Sequence, residues 1–119
     1  MAKAKVRIYH NPKCTKSRET LALLRDNGVE PEIVEYLKTP PSAADVDDLI
    51  AKLKLEPHAI LRTQEEPYKR LKLSAKSSQA AVAKAIAEEP ILLERPIVVA
   101  GKRAAIGRPP ENVLAILPK

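Results

Sequence analysis

A strand, a helix and a second strand follow one another in the first thirty-six residues, and this order constrains the fold of the 119-residue chain more than any other feature. Val6 and Ile8 alternate with Arg7 and Tyr9, the period of a half-buried strand. Thr15 to Asn27 reads as a helix closed by Asn27-Gly28, and Glu32-Ile33-Val34-Glu35-Tyr36 after Pro31 reads as the next strand. Joining two strands through a helix makes a βαβ unit, so the pair is expected to be parallel.

The middle of the chain is helical. Leu37 to Ser42 is a linker carrying Pro40-Pro41, and Ser42 caps a helix in which Val46, Leu49, Ile50 and Leu53 fall on one face. Short helical turns are expected at Pro57–Arg62 and Pro67–Leu71, and a longer helix at Ser77–Glu89 with Val82, Ala85 and Ile86 inward, ended by Pro90. The period then changes. Pro96-Ile97-Val98-Val99-Ala100 and Arg103-Ala104-Ala105-Ile106 flank Gly101-Lys102, a connection suited to a tight hairpin. Pro109-Pro110 opens a final helix with Val113, Leu114, Ile116 and Leu117, stopped by Pro118. The chain is read as a single domain, large enough to bury one core.

Composition narrows the function. No apolar run approaches the roughly 20 residues needed to cross a bilayer, and Met-Ala-Lys-Ala-Lys is not a secretory leader, so a cytoplasmic protein without membrane association is expected. The net charge is +6, with eleven basic and six acidic residues in 61–119. Without Trp or Phe and with only three Tyr, a base-stacking platform is poorly supplied; the charge fits a small anion better than nucleic acid. Cys14 is the sole cysteine, which excludes an internal disulfide, and neither a CxxC pair nor a Cys/His cluster offers a metal site. It sits at the strand-to-helix junction, among Asn, Pro, Lys, Thr and Ser rather than in an apolar run. Free N–H groups and the helix dipole, with Lys13, Lys16 and Arg18 nearby, are expected to acidify the thiol into a nucleophile.

The order of elements resembles the thioredoxin/glutaredoxin fold: an α/β architecture with a four-stranded mixed sheet flanked by helices, and a helical insertion at about 42–90 between the βαβ unit and the C-terminal β-hairpin. That resemblance implies a cis-proline at Pro96, at the start of the third strand. His10-Asn11-Pro12-Lys13-Cys14-Thr15-Lys16-Ser17-Arg18 is further similar to the HxxxCxxxR signature of the glutaredoxin-coupled arsenate reductases. Leu61-Arg62, Glu66-Pro67-Tyr68, Pro90-Ile91-Leu92, Arg95-Pro96-Ile97-Val98-Val99 and Arg108-Pro109 match that family in order and spacing, so the similarity covers essentially the whole chain.

The family implies that Cys14 attacks arsenate or a related oxyanion. Arg95 and Arg108 would hold the oxyanion and Arg62 would act on the product state; guanidinium forks suit a tetrahedral oxyanion in a way lysine cannot reproduce. Thr15 and Ser17 hydroxyls can add hydrogen bonds to thiolate or substrate. His10 is implied to help keep the thiolate, and Arg18, four residues after Cys14 on the helix, can lie beside it. Glu94 adds a negative charge next to Arg95, and His58 is read as structural. With one protein thiol, the electrons must come from outside; the resemblance supplies glutathione as co-substrate and glutaredoxin as partner, with no tightly bound cofactor and no metal. Two alternatives remain. Another glutathione-dependent thiol oxidoreductase would share Cys14 without needing the arginines. A regulator similar to the Spx proteins, which bind RNA polymerase, would often carry CxxC where this chain has Ser17.

Overall fold

A computed structural model describes residues 5–117. Two compact units emerge, one from the segments up to Tyr36 and from Arg95 onward, the other from Leu37 to Glu94.

The first unit is a four-stranded mixed sheet in the order β2-β1-β3-β4, with β1 at Val6–Tyr9, β2 at Glu32–Val34, β3 at Ile97–Ala100 and β4 at Arg103–Ile106. β1 and β2 are parallel, with Ile8 opposite Ile33, and α1 (Thr15–Asp26) crosses between them. β3 pairs antiparallel with both β1 and β4. The architecture is thioredoxin-like. Gly28, with φ +78°, takes the left-handed conformation that stops α1, and Gly101, with φ +62°, turns the β3–β4 hairpin. Val6 and Ile8 from β1, and Val98 and Ala100 from β3, share one face of the sheet with Leu24 of α1 and with Val113 and Ile116.

Two sequence expectations shift here. The second strand ends at Val34 rather than Tyr36, and Tyr36 is fully buried beyond its end. The terminal segment Pro110–Ile116 is a 3₁₀-helix, not an α-helix, so its apolar side chains Val113 and Ile116 recur at i and i+3. Pro118, expected to stop it, lies outside the described residues. Arg95–Pro96 and Arg108–Pro109 are both cis peptide bonds.

The second unit contains α2 (Ala43–Leu53), α3 (Glu66–Arg70) and α4 (Gln79–Glu88), with 3₁₀ turns at Pro57–Ile60 and Pro90–Leu92. Ser42 closes a reciprocal capping box with Asp45. Val46, Leu49 and Ile50 of α2 and Val82, Ala83, Ala85 and Ile86 of α4 are buried as the two helices pack together. Leu61 and Leu93 form a single antiparallel bridge. No helix among the described residues is long and apolar enough to cross a membrane.

Candidate active site

The chain leaves β1 and enters α1 through a five-residue turn organised by Asn11. The Asn11 carbonyl accepts the Cys14 N–H at 2.9 Å, and its Oδ1 accepts the Lys13 N–H at 3.0 Å. The Asn11 N–H donates to Ser17 Oγ at 3.0 Å. A side-chain oxygen bonded two residues on is an Asx turn, which explains why asparagine is found where the strand must reverse into a helix. Asn11 is buried, and the sequence reading gave it no role. Cys14 occupies the N-cap of α1 in extended geometry, φ −94° and ψ 122°, and is half-buried.

Burial is the largest single influence on the Cys14 thiol and opposes its ionisation. It is outweighed. Cys14 makes no formal capping hydrogen bond, but the Ser17 N–H lies close enough to the sulfur to favour the thiolate. The Arg95 guanidinium also lies close enough to the sulfur to favour the thiolate, and the charges of Arg95 and Arg108 act in the same direction, so the thiol sits below its ordinary value. Arg108 Nη2 is 3.7 Å from Sγ, and Arg108 Nε donates to the Arg95 carbonyl at 2.7 Å. The two guanidinium groups therefore converge on the nucleophile from adjacent chain segments. The sequence reading expected the acidifying charges from Lys13, Lys16 and Arg18, the near neighbours in the chain; the structure supplies them instead from Arg95 and Arg108.

Arg95 also approaches the Tyr36 hydroxyl, so one guanidinium is shared between the sulfur and a fully buried phenol. Nothing in the sequence around Tyr36 signalled this. Gly107 determines how closely the Arg108 segment can approach. A Cβ there would come within 2.5 Å of Thr20 Oγ1 on α1 and 2.8 Å of Pro96 Cγ, so only glycine lets this segment lie against the helix that Cys14 begins. The Gly107 N–H donates to the Pro96 carbonyl at 2.9 Å.

The remaining expected site residues are placed differently. The Ser17 side chain is fully buried, and its hydroxyl is engaged by the Asn11 N–H and by His10 Nδ1 at 2.7 Å, so its hydrogen bonds are made within the turn. His10 is buried, and desolvation, with smaller contributions from Arg25 and Arg18 and against the pull of Glu35, holds it below its ordinary value and so uncharged. That environment favours the uncharged ring, so a hydrogen bond is the contribution from His10 that it supports. Arg18 does not turn to Cys14. Its Nη1 donates to the Pro12 carbonyl at 2.9 Å and its Nη2 to Thr15 Oγ1 at 3.3 Å, which braces the turn from outside. Thr15 itself is exposed at the start of α1.

Arg62 belongs to the second unit. Its guanidinium is held between Glu65 at 3.2 Å and Glu94 at 3.0 Å, beside a cavity of about 180 Å³ lined by Leu61, Thr63, Gln64 and Glu94. Two carboxylates on one guanidinium leave this group of three with a net negative charge. Glu94, expected to set a negative charge beside Arg95, is thus spoken for by Arg62. His58 Nε2 lies 2.8 Å from the Tyr68 hydroxyl, consistent with a packing role.

The ArsC family model matches residues 9–116. The uncharacterized protein YfgD of Escherichia coli (strain K12) is 53% identical over 114 residues, covering 94% of this chain and 96% of that protein. An arsenate reductase of Haemophilus influenzae is 49% identical over 112 residues, 92% of this chain and 97% of its own. The solved structure of an arsenate reductase from Vibrio cholerae superimposes with a TM-score of 0.92 at 50% identity, covering 98% of this chain and 100% of that one.

Proposed function

The chain belongs to the ArsC family, and from that premise we propose that it is an arsenate reductase in which Cys14 is the nucleophile. The observation that carries this reading is the convergence of Arg95 and Arg108 on a half-buried, acidified thiol at a helix start. A dianionic tetrahedral substrate needs paired donors, and the two guanidinium forks with the unpaired N–H groups of the first turn of α1 form such a cradle. Thr15 borders it with an exposed hydroxyl.

In the proposed reaction the Cys14 thiolate attacks arsenic(V) and an oxygen leaves as water, giving a Cys14 sulfur–arsenic(V) ester. A glutathione thiol then displaces a second oxygen, which takes up the protons and leaves as water, so that arsenic(V) carries both sulfurs. A glutaredoxin thiol then attacks the glutathione sulfur, the electron pair of the As–S bond passes to arsenic, and a glutathione–glutaredoxin disulfide departs. Arsenic is now trivalent on Cys14, and water releases arsenite and the thiolate. The two electrons come from two external thiols, as a chain with one cysteine requires. Such partners are maintained in a reducing compartment, which favours the cytoplasm. His10 and Arg18 support the turn rather than touch the substrate, and Arg62, paired with Glu65 and Glu94, would need to exchange a carboxylate to act on an arsenic-bearing product.

The test is purified protein with arsenate, glutathione, glutaredoxin, glutathione reductase and NADPH. Arsenate-dependent NADPH oxidation that requires both thiol partners, and vanishes in Cys14→Ser, is the expected result. Turnover of a mixed disulfide with none of arsenate would instead assign the protein to the general glutathione-dependent oxidoreductases.

A further inference from the structure

Ser17 has two hydrogen-bond partners, both on the turn that carries the nucleophile, and none of its surface meets solvent. Its oxygen accepts the Asn11 N–H at 3.0 Å and lies 2.7 Å from His10 Nδ1. The residues thus joined are the first two residues of the turn and the third residue of α1. Asn11 in turn holds the amides of Lys13 and Cys14. Ser17 and Asn11 together thus tie the residue that follows β1, the amides before Cys14 and the first turn of α1, while Arg18 braces the turn from outside.

A hydroxyl has one proton to give. With one lone pair occupied by the Asn11 N–H, the Ser17 proton has His10 Nδ1 as its only acceptor in reach among the described residues. An imidazole protonated at Nδ1 would leave that buried hydroxyl proton without a partner, at the desolvation cost such orphaned donors carry. The count selects the tautomer with the proton on Nε2.

We infer that Ser17 is a positioning residue for Cys14, a clasp that fixes the first turn of α1 against the Asn11 turn, and that His10 acts on the nucleophile only through the Ser17 hydroxyl, which donates to its bare Nδ1. The placement explains why a histidine is useful at this buried strand end: it is the acceptor that orients the serine. The Ser17 N–H that favours the thiolate is aimed by its own side chain. The low-lying titration of His10 agrees with a bare Nδ1. The inference rests on Cys14 being the nucleophile but not on which oxyanion it attacks.

Two measurements test it without arsenate. Nitrogen NMR of the histidine rings in the wild-type protein at neutral pH should show His10 with Nε2 protonated and Nδ1 bare; a proton on Nδ1, or a doubly protonated ring, overturns the assignment whether or not any variant folds. The second measurement is the rate of Cys14 alkylation by iodoacetamide across pH in Ser17→Ala, His10→Ala and the double variant. Ser17→Ala should slow alkylation at neutral pH about fivefold, the worth of one ordinary hydrogen bond, and move the profile toward that of a free cysteine. The double variant should match Ser17→Ala alone, because histidine has no route that bypasses the serine. Additive effects, or a profile unchanged in Ser17→Ala, overturn the proposal. Loss of arsenate turnover with these thiol effects intact would count against the proposed substrate and leave the clasp standing.

Discussion

Replacing Gly107 by alanine tests whether the close approach at the head of α1 is what places Arg108. The added methyl would meet Thr20 Oγ1 at 2.5 Å, Thr20 Cγ2 at 3.1 Å and Pro96 Cγ at 2.8 Å, two of them inside the closest separations carbon tolerates. Thr20 cannot simply swing away, since it is fully buried and its hydroxyl donates to the Lys16 carbonyl at 2.8 Å. The segment must back off instead, and overpacking of this kind costs about 1–3 kcal/mol. For a chain of this length each kilocalorie lowers Tm by about 4 °C, so a fall of about 4–12 °C is expected. Arg108 moves with the segment, and a displacement near 1 Å at a substrate-orienting group lowers kcat/KM by about a hundredfold. Urea unfolding followed by circular dichroism, and NADPH-coupled arsenate turnover on the same preparations, measure both effects. Thr20→Ala removes two of the three clashing atoms, so the double variant should be more stable than the sum of the single changes predicts, by about 1 kcal/mol. A Gly107→Ala protein within about 0.5 kcal/mol of wild type, or strictly additive variants, would refute the steric argument.

Arg95→Lys and Arg108→Lys keep the charge but lose the fork, and each should raise the KM for arsenate about tenfold or more while leaving the urea midpoint close to wild type; unchanged kinetics would remove that arginine from the substrate site. Cys14 should react with iodoacetamide along a pH profile lying below that of an ordinary cysteine, and arsenate should protect it; a profile at or above the ordinary value would mean that burial, the largest opposing influence, wins over Ser17, Arg95 and Arg108. Because the folded protein holds His10 below its ordinary value of 6.5, the unfolded chain binds that proton more readily, so this residue's contribution to stability is complete above about pH 6.5 and is lost as pH falls toward the folded value. The urea midpoint should drop more steeply from about pH 7 to about pH 5 in wild type than in His10→Gln, and parallel slopes would contradict the buried, uncharged histidine.

The elements that follow from neighbours in the chain were legible before any coordinates. The period of Val6 and Ile8, the Asn27-Gly28 stop, the Ser42 cap and the Gly101-Lys102 turn each express a local preference, and each is found where it was expected. The terminal segment was misread because two prolines and an apolar repeat fit an α-helix and a 3₁₀-helix alike, and the choice lies in packing. Cys14 at a helix start was legible for the same local reason.

The partners of Cys14 were not. Arg108 reaches the sulfur across 94 positions of sequence, while Arg18, nearer on paper, bonds the Pro12 carbonyl and neither it nor Lys13 is among the leading influences on the thiol. Ser17 looked like a polar group facing substrate; burial and two hydrogen bonds turn it inward to serve the turn. Asn11 before Pro12 carried a local turn signal that was not read, whereas Tyr36 carried none, since a phenol needs its arginine. The sequence by itself determined the βαβ unit, the hairpin and the thiol at the head of α1, because those depend on periodicity and on residues a few positions apart. Only the tertiary structure decided which charges meet that thiol, since hydrogen bonds and electrostatics act over ångströms in space, and the pairing of β1 with β3 brings the Arg95 and Arg108 ends of the last two strands to Cys14.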